Sequence, residues 1–167
     1  KKKEIETTLG VTVHNIKILE TGLIGIFVCG NDEFIFVPEI TNEKEEEELL
    51  KICKEHNVQM ITIKDKLNTL GNNITVGSKK ILINPDYSTK TINYIKRSTQ
   101  YEVLKIKNQH YKAIGSTSKF LNNKFFFSQN YNEEEVKELS NKIGGIGTIN
   151  KGSNYISSGI VGNQFGI

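Results

Sequence analysis

The chain has 167 residues, 37% of them hydrophobic and 25% charged, with a formal net charge of +3. That length suffices for one domain with its own core, or for several small units that share one. No run is long and apolar enough to span a bilayer, and so small a charge excess argues against a surface built to clamp many phosphates.

In chain order, residues 1–9 read as the end of a helix stopped by Gly10, a residue that tolerates the left-handed conformation of helix ends. Val11–Ile18 alternates and is rich in β-branched residues, so it predicts a strand, with His14 an ordinary surface or half-buried histidine. Leu23–Cys29 predicts an apolar strand with Gly25 inside it, and glycine in a strand marks a bulge, a bend or a backbone passing close. Gly30-Asn31-Asp32 predicts a turn and Phe34–Pro38 the return strand, closed by a proline that has no amide to give to a ladder. Thr41 or Asn42 is the expected cap of the next helix, with Glu45 in capping-box register with Asn42. Its run of glutamates reads as a solvated helix start, where carboxylates favour the positive end of the dipole. Val58–Ile63 predicts the strand that follows. Cys29 and Cys53 are too few for a disulfide framework and are expected to be small buried hydrophobes in a reducing compartment.

The same order then recurs. Leu67–Val76 predicts a strand containing Gly71, Gly77-Ser78 a turn, Lys80–Pro85 a return strand, Ser88 a helix cap and Tyr101–Ile106 a strand. In a third copy Ala113–Ser116 carries Gly115, Asn122-Asn123 the turn and Phe125–Phe127 the return strand. Asn132 is the expected cap there, with Glu135 in capping-box register, and Ile143–Ile149 is the expected strand. A fourth copy begins after the turn at Asn150-Lys151-Gly152, with Gly159 in the glycine slot. Gly25, Gly71, Gly115 and Gly159 thus recur at spacings of 46, 44 and 44 residues. A residue without Cβ lets backbones approach, so the four glycines are expected to line a common axis. The expected units are 21–66, 67–110 and 111–154, with 1–20 ending an earlier unit and 155–167 opening a later one. A unit this small cannot bury both faces of its sheet alone, so several must share a core. The fold class is α+β, built from ββαβ repeats.

Three segments resemble the translation initiation factor 6 family of archaea and eukaryotes. They are Leu23-Ile24-Gly25 through Gly30-Asn31 to Phe36-Val37-Pro38, then Lys66–Asn72 continuing to Ile83-Asn84-Pro85-Asp86, and Gly147–Ser153 with the small-residue run after it. They occur in order and at the right spacing. The third unit departs from the family pattern, with Lys119-Phe120-Leu121 and Gln129 where an Asn-Gly turn and a proline are usual. The resemblance implies a pentein-type propeller of five pseudo-symmetric ββαβ repeats closed into a ring, the first and last incomplete here. It also implies a non-catalytic monomer that binds the large ribosomal subunit on its joining face. There, among ribosomal proteins near the sarcin–ricin loop and close to some rRNA, it would block the small subunit and accompany large-subunit maturation. The implied contact residues are Gly30, Asn31, Leu70, Gly71, Asn72, Asn150, Lys151 and Gly152. The implied location is the cytoplasm, with nucleus and nucleolus added for a eukaryotic source.

Other penteins are enzymes that modify guanidino groups through a cysteine nucleophile with histidine and acidic partners. No cysteine follows Cys53 and the last histidine is His110, which speaks against that chemistry here. Cysteines and histidines are few and lack ligand spacing, so no metal site is expected, and no cofactor, small-molecule substrate or membrane is implied. Gly144–Gly147 precedes a strand and lacks the Lys-Ser/Thr of a phosphate loop. The alternative of another class is a ring-shaped scaffold for a different protein assembly or a nucleic acid.

Overall fold

The computed structural model describes residues 1–108, 111–141, 144–163 and 165–167. The expected strand start at Ile143, and His110, lie outside them. Helix α1 (Lys2–Leu9) ends at Gly10, whose φ of 62° is the left-handed stop expected there. Three similar units follow. The first has a one-turn helix α2 (Ile24–Phe27), strands β1 (Cys29–Gly30) and β2 (Phe34–Pro38), helix α3 (Glu43–Glu55) and strand β3 (Gln59–Ile63). The second has α4 (Leu70–Asn73), β4 (Ile74–Val76), β5 (Lys80–Ile83), α5 (Thr89–Thr99) and β6 (Glu102–Lys105). The third has α6 (Ile114–Thr117), β7 (Ser118–Leu121), β8 (Lys124–Ser128), α7 (Glu133–Ser140) and β9 (Gly144–Gly147). A 3-10 turn, Ile156–Ser158, follows where the next unit opens.

The long helices start where their polar side chains can take orphan amides. Asn42, Ser88 and Asn132 each accept from the amide three residues on, and at Asn132 the Glu135 carboxylate completes a reciprocal capping box. Glu45 does something further. Its carboxylate accepts the amides of Leu19 and Glu20 at 2.8 and 2.7 Å, tying α3 to the loop before the first unit.

Each unit makes one three-stranded sheet. The first two strands are antiparallel and the third runs parallel to the second, the long helix making the crossover. Side chains alternate across a strand, so both faces of a sheet can be apolar. In β2, Phe34 and Phe36 face one way and Val37 the other. Ile92 and Ile95 of α5 share one buried cluster with Phe34, Phe36, Ile61 and Ile63 of the first sheet and Ile81, Ile83 and Val103 of the second. Val136 and Leu139 of α7 repeat this between the second unit, through Leu82 of β5 and Ile106 just past β6, and the third sheet, through Phe125 and Phe127. A helix is therefore shared between its own sheet and the one before it. Side chains buried this way, Ile95 at 0% exposure among them, contribute about 1.5–3 kcal/mol each. The core belongs to neighbouring units jointly. At the end of the chain, Asn163 donates through Nδ2 to the Leu9 carbonyl at 2.7 Å and Gly166 lies against Thr8, so the two end segments meet.

Several sequence expectations are corrected. Val11–Ile18 is irregular, with a single bridge from Ile18 to Thr21, because no neighbouring strand offers it a ladder among the described residues. Gly25, Gly71 and Gly115 sit in one-turn helices and not in strands. There the backbone satisfies itself, as where the Val28 amide donates to the Ile24 carbonyl at 3.0 Å. Gly159 is not the fourth member of that set. It caps the 3-10 turn, and the second residue of the turn, the place held by Gly25, Gly71 and Gly115, is Ser157. A Cβ on Gly159 would meet Ile149 and Asn150, which precede it in its own segment.

Candidate functional site

The first strands β1, β4 and β7 lie side by side, and each runs from a one-turn helix at one end to a hairpin tip at the other. Two mouths result. The first, a cavity of about 590 Å³, is lined by the four successive turns, including Gly25, Gly71, Asn72, Gly115, Ser116 and Ser157. The turns stack backbone on backbone. A Cβ on Gly71 would lie 2.0 Å from the Gly25 carbonyl oxygen, and one on Gly115 2.2 Å from that of Gly71. Polar links lock the stack. Ser116 donates to the Asn72 side chain at 3.0 Å, and the hydroxyls of Thr75 and Ser118 both reach the Ile114 carbonyl. Leu23 and Tyr155, each directly before a turn, also line this mouth and are 62% and 63% exposed. Large apolar side chains grouped on an open, rigid rim mark a surface for a macromolecule more than a pocket for a small one.

The second mouth, about 550 Å³, gathers the hairpin tips: Gly30–Glu33, Gly77-Ser78 and Asn122-Asn123, with Gly162-Asn163 beside them. It is polar and internally paired. Asn31 accepts from the amides of Glu33 and Phe34 and donates to the Tyr101 hydroxyl at 2.9 Å, so its side chain builds the tip. Lys79 pairs with Glu33 at 2.8 Å and holds that carboxyl below its usual range. Lys119, also at this mouth, is pulled down by burial.

The residues expected at a contact face therefore divide. Gly71 and Asn72 line the first mouth, and Gly30 and Asn31 the second. Leu70 is fully buried in the core and offers no surface, a correction that follows from its place at the inward start of α4. Asn150, Lys151 and Gly152 line neither mouth. They form the positive-φ turn joining Ile149 to Ser153, where a φ of 107° at Gly152 calls for glycine. Leu23 and Tyr155 escaped the sequence reading. Their signal is positional, each standing before an isoleucine that opens a turn, but it is visible only once the turns are aligned. Asp65 escaped it too. Its carboxylate accepts from the Thr91 hydroxyl at 2.6 Å and the amides of Leu67 and Ser88, linking the strand before the second turn to α5. Burial alone would raise it, but these bonds together hold it below the usual carboxylate range.

Cys29, Cys53 and His56 line a third groove of about 360 Å³ beside α3. Burial pushes the Cys29 thiol up to about 12 against a weaker pull from Lys119, and burial also raises Cys53. A nucleophilic cysteine needs the opposite, a stabilised thiolate.

The eIF-6 family model matches residues 1–167. Translation initiation factor 6 of Saccharolobus islandicus (strain L.S.2.15 / Lassen #1) is 32% identical over 170 residues, covering 99% of this chain and 75% of that protein. The eukaryotic translation initiation factor 6 of Tetrahymena thermophila is 27% identical over 165 residues, covering 97% and 67%. Among solved structures, dimethylarginine dimethylaminohydrolase bound to S-methyl-L-thiocitrulline matches at a TM-score of 0.52 and 10% identity, over 70% of this chain and 44% of its own. The Pseudomonas aeruginosa enzyme with citrulline gives 0.51 at 10% identity, over 79% and 54%. At such identity the enzymes share the fold alone, and it is the pentein fold of repeated ββαβ units.

Proposed function

The chain belongs to the eIF-6 family, a family of translation factors, and from that premise we propose that it binds the large ribosomal subunit on its joining face and keeps the small subunit off by occupying space. It does so as a monomer, without catalysis or cofactor, and it accompanies large-subunit maturation. Its place of work is the cytoplasm, and the nucleus and nucleolus as well in a eukaryotic cell. Five repeats closed into a ring complete the architecture. The observation that carries the reading is the first mouth. The turns abut closely through their backbones, and Leu23 and Tyr155 stand exposed on the rim they form. An occluding factor needs such a surface more than it needs charge, and the modest +3 fits contact mainly with ribosomal protein. The raised cysteine thiols speak against guanidino-group chemistry.

Co-sedimentation tests this. The chain is expected to travel with purified large subunits and to lower the fraction of joined ribosomes. The double variant Leu23→Asp, Tyr155→Asp replaces exposed side chains only, so it should fold normally and bind at least about tenfold more weakly, a loss in keeping with rim anchors. Undiminished binding by the variant would displace the contact face. Absence of the native chain from large-subunit fractions, with joining unaffected, would overturn the function itself.

A further inference from the structure

The two exposed side chains of the first mouth follow the same local arrangement. Leu23 and Tyr155 each stand directly before a one-turn helix, with φ/ψ of −82°/51° and −87°/72°. The amide of each donates to the hydroxyl two residues back, that of Thr21 at 3.2 Å and that of Ser153 at 3.3 Å. Thr21 and Ser153 in turn each close a tight turn by a bridge, to Ile18 and to Ile149. Both turns hold consecutive residues in the left-handed region, Leu19 and Glu20 at φ 52° and 60°, Asn150 and Lys151 at φ 46° and 63°. No such turn precedes α4, where no residue from Lys64 to Thr69 has a positive φ. The two turns are stabilised differently. Asparagine tolerates the left-handed conformation and Gly152 completes the later turn at φ 107°, so residue type suffices there. Leucine resists it, because its Cβ crowds the following carbonyl. In the earlier turn the stabiliser comes from outside: the Glu45 carboxylate takes the Leu19 and Glu20 amides at 2.8 and 2.7 Å. Such charge-assisted bonds are roughly twice as strong as neutral ones.

We propose that Glu45 is a positioning residue of the first mouth: from the start of α3 it holds the Leu19–Glu20 turn in its left-handed form and so sets Leu23 on the rim for the large ribosomal subunit. The inference rests on the reading of this mouth as the contact face. Ile18, fully buried, pins the base of the turn, and Glu45 fixes its tip, so Leu23 is held from upstream as well as by the stack of turns behind it. The Asn150–Gly152 turn does the same for Tyr155 without outside help. That gives a motif which lines neither mouth a role exerted through its backbone conformation.

Large-subunit co-sedimentation and a fluorescent reporter test this together. Glu45→Ala should weaken binding at least about fivefold, because only chains with the turn formed are competent to bind. Adding Leu19→Asn and Glu20→Gly, the pair best suited to a two-residue turn with both φ positive, should restore binding to within about twofold of native although Glu45 is still absent. A direct contact by Glu45, or a loss of stability elsewhere in α3, would not be repaired that way. The chain has no tryptophan, so Leu23→Trp reports on that position alone. On this background Glu45→Ala should lower the tryptophan anisotropy of the free chain, and the two turn substitutions should raise it again. Circular dichroism checks that the variants fold. Native-like binding by Glu45→Ala, a loss that the turn substitutions leave unrepaired, or an anisotropy that Glu45→Ala does not change would each overturn the proposal. Absence of the native chain itself from large-subunit fractions would overturn the contact-face reading on which it rests.

Discussion

Replacing Gly71 by alanine should unfold this protein far more readily than the same change at Gly25, although the two residues hold the same place in successive units. A Cβ at position 71 would sit 2.0 Å from the Gly25 carbonyl oxygen and 2.8 Å from that of Val28, while one at position 25 would meet nothing within 4 Å. Ordinary contact begins at 3.4 Å, so the first and second turns would have to part by roughly 1 Å or more. Both obstructing atoms are backbone, and neither can rotate away as a side chain could. Overpacking commonly costs 1–3 kcal/mol, and with rigid backbone on the far side the upper end applies, about 3 kcal/mol. At position 25 the only effect left is helical preference, which favours alanine over glycine by about 0.5–1 kcal/mol. Urea unfolding reads the contrast. With a slope of about 2 kcal/mol/M, Gly71→Ala should lower the midpoint by about 1.5 M while Gly25→Ala leaves it level or slightly raised. Gly115→Ala should behave like Gly71→Ala, because the Gly71 carbonyl oxygen lies 2.2 Å from its Cβ position. Gly159→Ala should cost less, since the nearest obstruction is the end of the Ile149 side chain, which can turn aside. Equal midpoints for Gly25→Ala and Gly71→Ala would refute the stacked-turn argument.

Two further outcomes follow from the buried and bonded titratable groups. The Asp65 carboxyl is held below its unfolded value, so its contribution is present above the unfolded pKa of about 3.9 and is lost as pH falls through the lower folded value. Asp65→Asn should therefore cost about 1–2 kcal/mol at neutral pH and progressively less below about pH 4. Equal deficits at pH 7 and pH 3, measured by denaturant titration, would count against the charge-assisted bonds. For the thiols, burial raises both Cys29 and Cys53, so a thiol reagent at pH 8 should modify the native chain much more slowly than the urea-unfolded chain. Rapid native labelling of either cysteine would reopen the case for a nucleophile.

Much of this protein follows from local chemistry and is legible without any structure. The caps at Asn42, Ser88 and Asn132 and the left-handed stop at Gly10 rest on interactions within a few residues, and the period of the units and the strand at Phe34–Pro38 show in the order and pattern of residue types. So does family likeness, since the motif residues keep their spacing. What the chain could not reveal by itself depends on groups that meet from different units. Leu23–Phe27 and Leu70–Asn73 have the composition of strands, but a strand needs a partner on its ladder, and at the axis each segment coils into a turn that satisfies its own amides. The spacing of 44 residues pointed to Gly159, yet the residue in line with Gly71 and Gly115 is Ser157, because the fourth segment reaches its turn two residues sooner. Leu70 carries a motif position but falls on the inward side of α4. His14 and His56 are unremarkable in sequence and share a hydrogen bond of 2.9 Å only where the end of α3 meets the stretch before Ile18. Local propensity decides which segments coil or extend; packing between units decides which side chains face one another, and that second decision makes the surfaces and sites.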